Sequence, residues 1–179
     1  LDLWQETQRF KADYLNKFPG YYFSGDGGFI DEDGFVYITG RVDDVINVAG
    51  HRLSTAEMEE IVASHHSVAE CAVIGVNDEL KGQAPLALVV TKSGETIEHF
   101  QLEQEIVQLV RQQIGAVASM RNVVMVNRLP KTRSGKILRK LLRSIADGAV
   151  FQVPSTIDDE TIIDEIKESL EKYAMGKAK

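Results

Sequence analysis

GRVDDVINVAGHRL, residues 40–53, places a short β-branched run between two charged flanks. Val45, Ile46 and Val48 have the composition and length of a buried strand. Arg41 and Arg52 bracket it, Asp43 and Asp44 precede it, and Gly50 follows it. Arginine presents a rigid fork of donors that suits phosphate, carboxylate or ribose oxygens, so two of them beside glycines point to anion handling. Glycine at position 50 lets a thin ligand pass close to the backbone, because no Cβ stands there. The alternative is a surface hairpin whose charges are simply solvated.

Upstream, residues 1–20 have the pattern of a short amphipathic helix stopped at Pro19-Gly20, with Trp4, Phe10 and Leu15 as apolar contacts. Residues 29–30 and 35–38 form a hairpin pattern around Asp31-Glu32-Asp33-Gly34, where Asp-Gly favours a tight turn. A calcium loop through these acids is excluded, since it would need an acid at Phe29 and a glutamate at Gly40.

Downstream, Ser54 and Glu57 make a capping box, with Leu53 and Met58 placed as a hydrophobic staple. Met58, Ile61, Val62 and His65 share one face of the helix that follows. Residues 71–76 and 86–90 are apolar runs of strand length separated by a polar loop, 77–83. Leu102, Ile106, Leu109, Val110 and Ile114 recur at helical spacing up to a stop at Gly115, and residues 123–126 read as a further strand. The fold class is therefore α+β, a small sheet of about three strands flanked by helices and preceded by a short hairpin.

Residues 128–143 hold seven basic residues and no acid: Arg128, Lys131, Arg133, Lys136, Arg139, Lys140 and Arg143. Ile137, Leu138, Leu141, Leu142 and Ile145 give this segment an apolar helical face, with Arg139, Lys140 and Arg143 expected on its solvated side. Asp158, Asp159 and Glu160 are expected to open a final helix carrying Ile162, Ile166 and Leu170.

Among 179 residues, 26% are charged and 44% hydrophobic, the balance of a globular protein with a proper core. A net charge of −7 argues against a general nucleic-acid binder, and no apolar run reaches membrane-spanning length. The single cysteine, Cys71, excludes an internal disulfide and fits a reducing compartment.

Three motifs together carry a family resemblance. Tyr22-Phe23-Ser24-Gly25-Asp26, the stretch 40–53, and Pro130-Lys131-Thr132-Arg133-Ser134-Gly135-Lys136 stand in order along the chain. They resemble the signatures of the acyl-adenylate-forming enzymes, which include acyl-CoA synthetases, luciferases and peptide-synthetase adenylation domains. With Leu1 at its start and the first motif only at Tyr22, the chain looks like the C-terminal portion of a short-chain acetyl- or propionyl-CoA synthetase. The domains then expected are 1–42 as the end of a large N-terminal domain, 43–150 as the mobile C-terminal domain, and 151–179 as a tail helix. The resemblance further implies ATP, CoA and Mg2+ as cofactors, with the metal's ligands outside this chain, and a short-chain carboxylic acid and the chain's own N-terminal domain as partners. A cytoplasmic location follows from the same resemblance, or the mitochondrial matrix in a eukaryote.

By the same resemblance, Lys136 is the catalytic lysine that reaches the substrate carboxylate and the α-phosphate. Asp26, Arg41 and Arg52 bind the nucleotide, Asp43 is the hinge, and Gly50 with Arg111 meets CoA. Each has a plainer alternative: a surface lysine, a turn aspartate, solvated arginines. A P-loop is excluded, because Gly135-Lys136 would need glycine at Pro130 and a hydroxyl residue at Ile137. The sequence departs from the family at Asn47, where many members have lysine, and at Ala116, where proline is common. Two rival functions remain: an adenylation domain loading a carrier protein, and a non-catalytic nucleic-acid-binding module.

Overall fold

In the computed structural model, which describes residues 3–42 and 44–173, the two apolar runs pair as one long antiparallel ladder. Strands β5 (Val68–Asp78) and β6 (Gly82–Thr91) pair from Val68↔Thr91 to Asp78↔Gly82, with one register shift between Val68 and Glu70. The expected polar loop 77–83 is thus largely strand, since Asn77 pairs with Gln83. Only Glu79-Leu80-Lys81 is left as the tip, and the Asp78 carboxylate holds it by accepting the Leu80 and Lys81 amides at 3.0 and 2.9 Å.

Alternation along the ladder explains why both runs are apolar throughout. Ala72, Ile74, Leu86 and Leu88 face one side with helices α4 (Arg139–Ala146) and α5 (Ile162–Tyr173). Val73, Ala87 and Val89 face the other, with α2 (Thr55–Ala63) and α3 (His99–Gln113). A sheet covered on both faces has no polar side to display. Strand β7 (Asn122–Met125) runs parallel to β6, and the hairpin β3 (Val45–Val48) and β4 (His51–Ser54) joins β6 at Val48↔Gly82. The sheet of this α+β unit therefore has five strands rather than about three, because the junction hairpin is part of it.

The predicted cap is formed: Ser54 Oγ accepts the Glu57 amide at 3.3 Å. Just before it, Ala49 (φ 49°) and Gly50 (φ 88°) make a two-residue turn with both residues in the left-handed region. Such a turn matches the twist of the paired strands but taxes any residue with a Cβ. Asn47 steadies it, with Oδ1 accepting the Gly50 amide at 3.1 Å. Ala49→Gly is expected to stabilise the chain by about 0.5–1 kcal/mol, the relief of left-handed strain less the extra freedom of the unfolded glycine. A urea midpoint that does not rise would count against strain in this turn.

The chain divides into two compact units, Leu1–Asp44 and Val45–Lys179. Residues 151–173 pack within the second, through Ile157, Ile162, Ile163 and Ile166. In the first, the expected helix is shorter than residues 1–20: a single α-turn, Thr7–Phe10 (α1), continues as a π-turn over Lys11–Leu15. Trp4 is 88% exposed, so it makes no core contact among the described residues. Strands β1 (Asp26–Ile30) and β2 (Val36–Arg41) form the expected hairpin, closed by the Asp31 carboxylate accepting the Phe35 amide at 2.8 Å. Phe29, Ile30, Phe35, Val36 and Ile38 are all exposed on it.

Candidate functional site

Pairing of β1 with β2 puts Asp26 opposite Arg41. Arg41 donates from Nη1 to the Ser24 carbonyl at 3.0 Å, and the same nitrogen lies 3.9 Å from Asp26 Oδ1. Gly25 makes this possible, because a Cβ there would sit 2.8 Å from the Arg41 guanidinium. The first motif and the start of the second thus converge on one carboxylate and one guanidinium. Asp43, the expected hinge, lies outside the described residues.

Lys136 sits in a tight loop of the second unit. Lys131 and Ile137 bridge its neck, and Thr132 accepts and donates within it. The Thr132 amide donates to the Lys136 carbonyl at 2.8 Å, the Gly135 amide to the Thr132 carbonyl at 2.8 Å, and the Lys136 amide to Thr132 Oγ1 at 3.1 Å. Gly135 takes φ 85°, which closes the turn without a Cβ penalty. Lys136 is exposed, and among the described residues its ammonium has no ion-pair partner. Lys131, from the same motif, is anchored by Glu70 at 2.7 Å. The motif holds one lysine down and leaves the other free to reach.

The basic segment is not one helix. Helix α4 begins only at Arg139, and Arg139 is not on a solvated face as expected. Its fork grips Glu59 of α2, Nε to Oε1 at 3.0 Å and Nη2 to Oε2 at 2.7 Å. Glu59 also accepts the Val73 amide at 2.9 Å. Arg143 is half-buried too, with an Nε that is buried and has no hydrogen-bond partner. Beside this pair, burial and then the Glu59 charge push the Cys71 thiol up to about 12, so it stays protonated near neutral pH. No thiolate is available next to the lysine loop.

Asp158, Asp159 and Glu160 precede the last helix instead of opening it, since α5 starts at Ile162. Asp159 and Glu165 close on Arg128: Nη1 donates to Asp159 Oδ2 at 2.7 Å and Nη2 to Glu165 Oε1 at 2.6 Å. The Arg128 hydrogen bond, with help from Thr161, lowers Asp159 from 3.8 to about 2, and Arg128 lowers Glu165 as well. A depressed carboxyl contributes stability above its unfolded value and loses it as pH falls through the folded one. The clamp is therefore expected to hold at neutral pH and to open between about pH 4 and pH 2, followed at the Asp159 side-chain carbon by NMR. Release well above pH 4 would contradict the pairing.

Arg52 is exposed on β4 opposite Asn47. Two residues earlier, the Gly50 turn is tied to the β5–β6 tip, with the Ala49 amide donating to the Lys81 carbonyl at 2.8 Å. Lys81 Nζ in turn donates to Ser119 Oγ at 3.1 Å. Ser119, Arg111, Gly115 and Arg121 line a cleft of about 280 Å³. The structure so links Gly50 to Arg111 through Lys81 and Ser119, neither of which the sequence marked as a site residue. Arg121 is a second guanidinium in that cleft, and its charge, after the tip amides, helps hold Asp78 below the usual carboxylate range.

These residues gather at opposite ends of the β5–β6 ladder. Glu70, which anchors the lysine loop, lies near one end of β5, and Asp78, beside the Gly50 turn, at the other. Eight positions at about 3.3 Å of rise separate them by roughly 26 Å. Among the described residues no group of three or more His, Cys, Asp or Glu is arranged to hold a metal, and no helix is long and apolar enough to cross a membrane.

Residues 57–136 match the model of the AMP-binding enzyme C-terminal domain. An uncharacterized protein of Pseudomonas aeruginosa is 64% identical over 97% of this chain and 28% of its own length. The mitochondrial acyl-CoA synthetase short-chain family member 3 of Pongo abelii is 50% identical over 95% of this chain and 25% of its own length. The chain thus spans about a quarter of the length of the curated relatives it matches. Among solved structures, ATP-bound MatB from Rhodopseudomonas palustris superposes with a TM-score of 0.70 at 28% identity, covering 82% of this chain and 28% of that one. Residues 57–136 thus carry the match to the AMP-binding enzyme C-terminal domain, and along nearly its whole length the chain is similar to about a quarter of a short-chain acyl-CoA synthetase.

Proposed function

We propose that this chain is the C-terminal portion of an AMP-forming short-chain acyl-CoA synthetase. Such an enzyme joins a carboxylate to the α-phosphate of ATP, releasing pyrophosphate, and then lets the thiol of CoA displace AMP to form the thioester. Acetate or propionate is the acid proposed. The observation that carries this reading is that the loop holding the free Lys136 is anchored at Glu70 while the Gly50 turn sits beside Asp78, positions about 26 Å apart by strand rise. One reaction centre cannot use both ends of a rigid unit at once. A unit that turns about the junction near Asp43 can offer the lysine in the first step and the Gly50 end in the second.

In the first step Lys136 meets charge where two anions approach, the role a preorganised cation performs best. Asp26 accepts from the ribose hydroxyls, while Arg41 and Arg52 contact the nucleotide. In the second step the pantetheine arm passes Gly50, and the Arg111–Arg121 cleft takes the phosphates of CoA. That cleft favours free CoA over a carrier protein, whose arm lacks the nucleotide phosphates. Mg2+ would arrive with ATP, and no step is assigned to it on this chain, which has no suitable ligand cluster among its described residues. The exposed apolar side chains of β1 and β2 are the surface proposed for the large N-terminal domain, since a two-stranded hairpin is marginal alone. A reducing cytoplasm or mitochondrial matrix suits the single thiol. A nucleic-acid role is disfavoured by the acid partners already held by Arg128, Lys131 and Arg139.

The test is pyrophosphate exchange by the complete enzyme with acetate, propionate and butyrate, followed by thioester formation with free CoA or a phosphopantetheinylated carrier. Exchange with none of the acids would overturn the reading, and thioester formed only on the carrier would move the chain to the adenylation-domain class.

A further inference from the structure

The segment between α4 and α5 meets the lysine loop. Ile157 forms a bridge with Thr132, the Arg133 amide donates to the Thr156 carbonyl at 3.1 Å, and the Asp158 amide donates to the Lys131 carbonyl at 2.9 Å. With the Lys131–Ile137 bridge, residues 156–158 add a second isolated bridge and two backbone hydrogen bonds to the loop. Ile157 is buried in the α4–α5 face of the core, which fixes that segment from below. Arg128, at the loop's entrance, grips the next two turns of chain through Asp159, Thr161 and Glu165. Thr161 completes the knot, because its amide and hydroxyl both donate to Asp159 Oδ1 at 2.9 and 2.8 Å.

We infer that this segment is a positioning device for Lys136, with Arg128 as its latch. This rests on Lys136 acting in adenylate formation. A free ammonium on a four-carbon arm is useful to a developing charge only if its Cα is held, since a misplacement of about 1 Å can cost a hundredfold in rate. The loop has two tethers: Lys131–Glu70 ties it to β5, and the backbone bonds of Lys131, Thr132 and Arg133 to residues 156–158 tie it to the tail. The latch touches neither Lys136 nor the Gly50 end, so it affects one half-reaction and not the other. Arginine is needed because its flat fork binds Glu165 through two nitrogens while a third reaches Asp159.

The first measurement is amide exchange in the 179-residue chain carrying Arg128→Ala. Protection at Thr132, Gly135 and Lys136 should fall at least tenfold, while amides of the β5–β6 ladder keep theirs. The second measurement compares half-reactions in the complete enzyme. Arg128→Ala should slow pyrophosphate exchange roughly ten- to a hundredfold through kcat, with the rate of thioester formation from supplied acyl-AMP kept within about twofold. Arg128→Lys should recover part of the loss, since it restores the charge without the fork. Asp159→Asn, at a half-buried position, provides a milder break if Arg128→Ala folds poorly, and should move both readouts in the same direction. Unchanged loop protection overturns the inference, whatever the enzyme's activity. Parallel loss in both half-reactions overturns it as well, since that marks Arg128 as a general stabiliser. If wild type shows no exchange with any acid, the proposed function falls while the loop protection still decides whether the latch exists.

Discussion

Lys136→Ala is expected to lower pyrophosphate exchange by roughly two to three powers of ten while leaving thioester formation from supplied acyl-AMP nearly intact. The size follows from losing one preorganised charge at the point where a carboxylate and a phosphate meet. Selectivity follows from the fold. The loop that carries Lys136 is fixed near the Glu70 end of β5, and the Gly50 turn lies at the Asp78 end. When the Gly50 end faces the adenylate, the ammonium belongs to a loop whose anchor at Glu70 is about 26 Å of strand away, against a Debye length of about 8 Å at physiological salt. Its charge then no longer matters. Lys131→Ala gives the internal contrast. Lys131 already spends its charge on Glu70, so its removal loosens one tether and is expected to cost far less than removing Lys136. Equal losses for the two lysines would show that the motif acts through its shape alone. Parallel loss in both half-reactions for Lys136→Ala would remove the division of labour.

Much of this arrangement was legible in the sequence, for identifiable reasons. The strands β5 and β6 announced themselves because a sheet covered on both faces needs unbroken apolar runs, and the Ser54 cap because its chemistry is local. Motif residues were legible as types, and the structure adds why some are there: Gly25 clears a path for Arg41, and Gly135 turns the lysine loop. What stayed hidden was partner choice over long sequence separations. Arg139 looked like a solvated position on a basic helix, yet it binds Glu59, eighty residues away. Asp159 looked like a helix-opening acid, yet it holds Arg128. A charge pattern gives the face on which a residue sits, and tertiary packing decides what it meets there. Lys81 and Ser119 were invisible for the same cause, because the β5–β6 tip and the loop after α3 come together only in the fold.

Gly50→Leu is expected to reduce thioester formation more than a hundredfold and to leave pyrophosphate exchange within a few-fold of wild type. Two effects of the substitution must be kept apart. Gly50 has φ 88°, so any residue with a Cβ is strained there by about 1–2 kcal/mol, whatever its size. Beyond its two chain neighbours, no described atom lies within 4 Å of the position a Cβ would take, so the fold itself has room for a longer side chain. Gly50→Ala therefore carries the whole backbone penalty and almost none of the bulk. If the pantetheine arm passes over this turn, leucine blocks it and alanine narrows it, so alanine should retain a substantial share of thioester formation. The strain common to both variants should appear as similar losses in thermal stability. The Asn47 carboxamide, which accepts the Gly50 amide, keeps the turn in place in each case. Should alanine and leucine lose thioester formation equally, the glycine serves the turn and not the ligand. Should leucine abolish pyrophosphate exchange too, the Gly50 end takes part in the first step and the two ends of the ladder do not divide the reaction between them.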